Sequence, residues 1–167
     1  MPAPNESTAP VPPWQQTLNH LLWKAAQAMH RTLNDELGEL GLTVSQFALA
    51  VALDEYAPLS AADLARSQGL TPQTVNTALA QVDRLGWLRR RPHPVHKRVV
   101  LLELTEPGHE GVARGRTITD HVVSRITASL GGAEEARSFR DALRRVAEEL
   151  DGPDTPAVSL WPERTRS

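Results

Sequence analysis

Residues 71–85 carry the side chains with the clearest chemical use. Thr71 followed by Pro72 predicts a helix start, and Val75, Ala78, Leu79, Val82 and Leu85 recur at helical spacing as one apolar stripe. The opposite face then holds Gln73, Thr74, Asn76, Thr77, Gln81 and Arg84. Short hydroxyl and amide groups on an exposed helix suit hydrogen bonding to base edges in a major groove. An ordinary solvated helix face uses the same residue types, so the neighbourhood has to decide between the two.

That neighbourhood is basic. From Arg84 to Arg98 there is no carboxylate, whereas Arg84, Arg89, Arg90, Arg91, Lys97 and Arg98 all fall there, with His93 and His96 between them. Such clustering is a local electrostatic footprint for phosphate, in a chain whose formal net charge is only -2. On this reading Arg90, Arg91, Lys97 and Arg98 meet phosphates, Gln73, Thr74, Thr77 and Gln81 read bases, and Arg84 serves either role.

The elements that must position these groups are legible on both sides. Thr43 and Gln46 form a capping box for a helix burying Phe47, Ala50, Val51 and Tyr56, which Pro58 stops. Ser60 and Asp63 repeat the device, and Gly69 closes that next helix in a left-handed cap, leaving a tight turn into Thr71. A short helix, a turn and an exposed polar helix let the first element brace the second against a duplex. Beyond them, Trp87 to Arg91 and Lys97 to Leu104 read as two extended runs, with the prolines of the Pro92–His96 loop keeping the tip outside the sheet.

Longer helices flank this unit. Leu18, Leu22, Ala25, Met29, Leu33, Leu37 and Leu40 form one stripe before it. After Thr105, a helix with Pro107 in its first turn runs to the Gly131-Gly132 break. A last helix then places Ala136, Phe139, Leu143, Val146 and Leu150 on a coiled-coil-like seam. Apolar stripes of this length need a partner surface, and a self-complementary dimer supplies one. The fold class expected is mainly α with a small β-hairpin.

The order of helix, helix, Gly-Trp-Leu, Arg-rich hairpin and Leu-Thr-Glu-Pro-Gly resembles the winged helix-turn-helix regulators of the MarR family, from about Trp14 to Leu150. The most specific segments are Leu42 to Gln46, the Asp63-Leu64-Ala65 helix, Leu85 to Arg90 and Leu104 to Gly108. The resemblance implies a two-fold dimer whose recognition helices meet successive major grooves of a near-palindromic operator. The hairpin becomes the wing, and a repressor is relieved by a small aromatic or anionic ligand. The division that follows is a flexible arm over 1–13, a dimerisation helix over 14–42, a DNA-binding domain over 43–104, dimerisation helices over 105–150 and a Pro-rich tail over 151–167. Family members bind such ligands between the dimerisation helices and the winged domain, which makes Trp23, His30 and Phe47 the candidate lining. Where the family's wing carries an acidic residue two positions before the Arg matched by Arg98, this chain has His96, and His93 stands where an Asp is common. If the two histidines act only as added charge, DNA affinity rises modestly as pH falls from about 7.5 to 6.

Composition excludes several alternatives. At 167 residues and 40% hydrophobic content one domain with a real core is expected. With no cysteine there is no disulfide and no thiol redox switch. The start, MPAPNESTAPVPP, lacks the pattern of a secretory signal, and no apolar run approaches the roughly 20 residues that span a bilayer, so a soluble cytoplasmic chain is expected. Neither His20 with His30 nor His109 with His121 has the close spacing of a helical zinc site. No phosphate loop, nucleophile elbow or paired-acid signature is present. No metal, cofactor or catalysis is therefore expected. The competing class is a winged-helix interaction module that docks a partner protein through its basic face.

Overall fold

The computed structural model describes residues 12–151, so nearly all of the expected arm and tail, including Val158, Leu160 and Trp161, lies outside the described residues. A single 3-10 turn, Pro13–Gln16, leads into α1 (Leu18–Leu37), and a second, Gly38–Leu40, leads towards α2 (Val44–Tyr56). There follow β1 (Leu59–Ser60), α3 (Ala61–Gln68), α4 (Pro72–Arg84), β2 (Leu88–Pro92), β3 (Val100–Leu104), α5 (Glu106–Ser129) and α6 (Ala133–Asp151). The chain is mainly α with a small antiparallel sheet of order β1-β3-β2.

Local chemistry sets most of the helix ends. Thr43 and Gln46 make the reciprocal capping box at α2, and Ser60 and Asp63 make it at α3. Gly69 has φ 61°, the left-handed conformation that closes α3 and that a side chain would strain. Thr105 caps α5 by accepting from the Gly108 N–H, with Pro107 in the first turn.

The core forms around α2. Every residue from Phe47 to Leu53 is buried, so α2 is apolar on all sides rather than along one stripe. α1, α4, α5 and β3 all pack on it. Leu37 and Leu42 from the α1 end, Leu64, Val75, Leu79 and Val82 from the helix pair, and Leu102, Leu104 and Val112 join the same cluster. One continuous core therefore runs across the boundaries drawn from sequence at residues 42 and 104.

The sheet differs from the expected hairpin in three ways. A third strand, β1, pairs with β3 through Leu59 opposite Leu102 and Ser60 opposite Leu101. Pro92 lies within β2, opposite Val100, which an edge strand tolerates because its missing N–H interrupts no inner ladder. Lys97 and Arg98 belong to the turn between the strands, not to β3.

α5 meets the core through glycines. A Cβ on Gly111 would lie 2.1 Å from the Trp87 ring, and one on Gly115 would lie 2.2 Å from the Phe47 ring. Both rings are buried, so α5 tolerates poor helix formers because two aromatic side chains occupy that space. Among the described residues, no single helix is long and apolar enough to cross a membrane.

Gly111→Ala is expected to destabilise the fold by about 1 to 3 kcal/mol through overpacking against Trp87. Gly38 has helical φ and ψ and nothing within 4 Å of a built Cβ, so Gly38→Ala should be neutral or slightly stabilising. Thermal unfolding of the two variants checks this; equal melting temperatures would contradict the packing account.

Candidate nucleic-acid interface

α4 is fixed at both ends and along one side. The Thr71 hydroxyl accepts from the Thr74 N–H at 3.2 Å, Pro72 occupies the first turn, and Val75, Leu79 and Val82 are fully buried. Gln73, Thr74, Asn76, Thr77 and Arg84 are exposed. Two of these spend part of their hydrogen-bonding capacity at home. The Thr74 and Thr71 hydroxyls share a bond of 2.9 Å, and the Thr77 hydroxyl donates to the Gln73 carbonyl at 3.0 Å. Among the described residues, the side-chain amides of Gln73 and Asn76 have no protein partner, which leaves both donors and acceptor of each for a ligand.

An open cleft runs along this surface, lined by Gln46, Thr71, Gln73, Thr74, Thr77 and Ala78. Gln46 was legible in sequence only as a capping residue. Its Oε1 accepts from the Thr43 N–H at 2.9 Å, and the same side chain reaches the cleft.

Gln81 is placed differently from the other proposed base readers. It is half-buried, and its Nε2 donates to the Gly41 carbonyl at 2.9 Å, tying α4 to the turn between α1 and α2.

The basic cluster divides into two sets. Arg89 and Arg91 lie on one face of β2 and both reach Glu103 on β3, at 3.1 Å and 2.5 Å. Arg90 pairs with Asp83, which joins β2 to α4. Two carboxylates just outside the window 84–98 thus neutralise part of the cluster within it. Among the described residues, Arg84, Lys97 and Arg98 form no ion pair, and all three are exposed. Arg90 and Arg91, expected from sequence to meet phosphates, are held in cross-element pairs, while Lys97 and Arg98 sit uncommitted in the wing turn.

α3 backs α4 and is itself secured by Asp63. The Ser60 hydroxyl donates to Asp63 Oδ2 at 2.6 Å and the Ser60 N–H at 2.9 Å, with Arg66 alongside. These bonds, those from Ser60 foremost, hold the Asp63 carboxyl below its usual 3.8 against a smaller opposing effect of burial.

The three candidate effector residues are not gathered in one cavity among the described residues. Phe47 is core, packed against Gly115. Trp23 is 60% exposed on α1. His30 is exposed, and its Nδ1 is 2.8 Å from the Asn34 amide nitrogen. Asn34 was not singled out in sequence, yet its Oδ1 accepts from the Val44 N–H at 2.9 Å and so caps α2 from α1. A second cleft, between α1 and α5, is lined by Glu36, Glu39, Thr117, Ile118 and His121, with Glu36 paired to Arg125 at 3.0 Å. Among the described residues no group of three or more His, Asp or Glu is arranged to hold a metal ion.

Two helices joined by a tight turn, a strand pair whose tip carries free cations, and a third short strand before the first helix together define a winged helix-turn-helix protein. A sequence profile of the MarR family matches residues 40–99. The HTH-type transcriptional repressor Rv2887 of Mycobacterium tuberculosis is 28% identical over 129 residues, 77% of this chain and 92% of that protein. Its crystal structure in complex with salicylic acid superposes with a TM-score of 0.61 at 28% identity, over 78% of this chain and 96% of that one. A mutant MarR from E. coli complexed with operator DNA shares the fold, with a TM-score of 0.69 at 24% identity over 78% and 94% of the two chains. Residues 40–99 thus match the MarR family, and the described residues share the winged helix-turn-helix fold of these solved regulators.

Because the folded-state value of Asp63 lies below the unfolded one, its stabilisation is complete above pH 3.8 and is lost as pH falls through the lowered value. Asp63→Asn should therefore melt below the wild type at neutral pH, with the gap closing in strong acid. A gap that stays constant down to about pH 2 would contradict the assignment.

Proposed function

We propose that this chain is a homodimeric, sequence-specific double-stranded DNA-binding regulator, a repressor relieved by a small aromatic or anionic ligand. The observation that carries the reading is the exposed amide and hydroxyl surface of α4, combined with the unpaired cations Arg84, Lys97 and Arg98. Uncommitted amides suit base edges, and uncommitted cations suit phosphates. The operator complex of the E. coli relative supports the same use of the fold.

In this reading Gln73, Thr74, Asn76 and Thr77 face bases, and Arg84, Lys97 and Arg98 supply the counterion-releasing contacts that make binding salt-dependent. Arg90 and Arg91 contribute to phosphate binding only by sharing with Asp83 and Glu103. Gln81 keeps a base-reading role only if it releases Gly41, so its first role is to set the attitude of α4.

The dimer is supported by apolar surface with nothing over it. Leu18 and Trp23 on α1, and Phe139, Leu143 and Leu150 on α6, are exposed large apolar residues, and α6 packs on α5. A second copy placed there covers both helices, which assigns 14–42 and 105–150 to dimerisation and 43–104 to DNA. With Trp23 and His30 on the exposed side of α1, the ligand site they would line is completed by that second copy, and Phe47 contributes only by supporting it from the core. The salicylic acid complex of the mycobacterial relative supports an aromatic acid as the ligand class.

The deciding experiment is selection of duplexes from a random pool, followed by binding at several salt concentrations with stoichiometry. One dimer on a near-palindrome with steep salt dependence is expected; weak binding that is equal on all sequences would shift the reading to docking of a partner protein. Arg98→Ala should weaken binding to every sequence, whereas Gln73→Ala should cost about 1 to 3 kcal/mol at chiefly one base pair.

Salicylate should raise the melting temperature and lower DNA affinity, with both effects reduced in Trp23→Ala and His30→Ala. A thermal shift that survives both substitutions would remove these residues from the ligand site.

A further inference from the structure

The turn at the tip of the wing is held by an imidazole nitrogen. His93 Nδ1 lies 3.1 Å from the Val95 N–H and 3.0 Å from the His96 N–H, and both donate to it. Below it, the His93 N–H donates to the Val99 carbonyl at 2.9 Å and the Val99 N–H to the His96 carbonyl at 2.8 Å, closing the turn that presents Lys97 and Arg98. A ring nitrogen that accepts two N–H groups carries no proton, so this arrangement belongs to the neutral imidazole with its hydrogen on Nε2.

We propose that His93 is a positioning residue of the DNA-binding wing, organising the tip through its unprotonated Nδ1 and releasing it on protonation. A proton on Nδ1 turns the acceptor into a donor aimed at two other donors. Both bonds are then lost together, and Lys97 and Arg98 lose the turn that orders them.

The charged and titratable groups around this nitrogen favour no compensating contact. The His96 ring lies 4.9 Å from the His93 ring, Lys97 and Arg98 follow in the same turn, and Arg91, next to last in the preceding strand, is paired with Glu103, which it shares with Arg89. Among the described residues, no carboxylate pairs with His93, His96, Lys97 or Arg98. The sign of the pH effect attributable to His93 is therefore opposite to that expected if the ring acted only as added positive charge.

The functional part rests on the DNA-binding reading above, so the test has two arms. In the first, wild type, His93→Asn and His93→Ala bind a duplex selected by the wild type at about pH 7.5 and about pH 5.5. The Asn Oδ1 stands where Nδ1 stood and accepts the same bonds without titrating, and His96 is present in all three chains, so its charge cancels in the ratios. At the higher pH, wild type and His93→Asn should bind alike, with His93→Ala weaker by about fivefold. At the lower pH, wild type should fall relative to His93→Asn to the level of His93→Ala. A ratio of wild type to His93→Asn that is independent of pH, or that rises in acid, overturns the proposal, as does full-strength binding by His93→Ala at the higher pH.

In the second arm, which needs no DNA, nitrogen NMR of the full chain reads the protonation of His93 Nδ1 and the exchange protection of the Val95 and His96 amides. An unprotonated Nδ1 at the higher pH, with amide protection lost in His93→Ala and kept in His93→Asn, supports the proposal. A protonated Nδ1 or unprotected amides in the wild type overturn it. Absence of DNA binding in all three chains would count against the functional reading, and the second arm then decides the geometry.

Discussion

Everything in this structure that faces outward depends on α2 being enclosed. A helix apolar on every side has to be surrounded, and α1, α4, α5 and β3 are the elements that surround it. Each brings one buried face to α2 and is left with another for other uses. For α4 that remaining face carries uncommitted amides, for β3 it carries Glu103, and for the first half of α1 it carries apolar surface. The proposed recognition surface is thus the outer side of a helix whose inner side is immobilised by packing, with Val75, Leu79 and Val82 fully buried.

Electrostatics then sorts the basic residues by whether they hold or reach. Arg89, Arg90 and Arg91 are spent on Glu103 and Asp83, pairs that fasten the strands to each other and to α4. Such exposed pairs contribute little stability individually, and their effect here is orientation. They hold the hairpin against the helix without an acidic residue in the wing turn, where His93 and His96 stand. The cations left over, Arg84 at the end of α4 and Lys97 and Arg98 at the turn, are the ones with charge to offer a polyanion.

Most of the helical fold was legible because its signals are local. The boxes at Thr43 and Ser60, the left-handed Gly69 and the stripe of α4 each involve residues a few positions apart, and each is found where the spacing put it. What was not legible depends on distant partners. β1 is two residues long and becomes a strand only because Leu102 and Leu101 lie beside it. A window of charge from 84 to 98 looks uniformly basic until Asp83 and Glu103, just beyond its edges, are brought against it. Gln81 looked equivalent to Gln73 by type and exposure, and only the fold shows it committed to a carbonyl forty positions away. Asn34 gave no signal because the N–H it caps belongs to another helix.

The glycine contacts of α5 give Trp87 surroundings unlike those of the other described tryptophans. Trp14 and Trp23 are more than half exposed, whereas Trp87 is 5% exposed, wedged between the start of the wing and the α5 backbone at Gly108 and Gly111. An indole sealed in this way emits at shorter wavelength than one in water and is shielded from collisional quenchers. The seam between the wing and the long helix therefore contains its own optical probe in Trp87, in surroundings unlike those of Trp14 and Trp23 in the single chain.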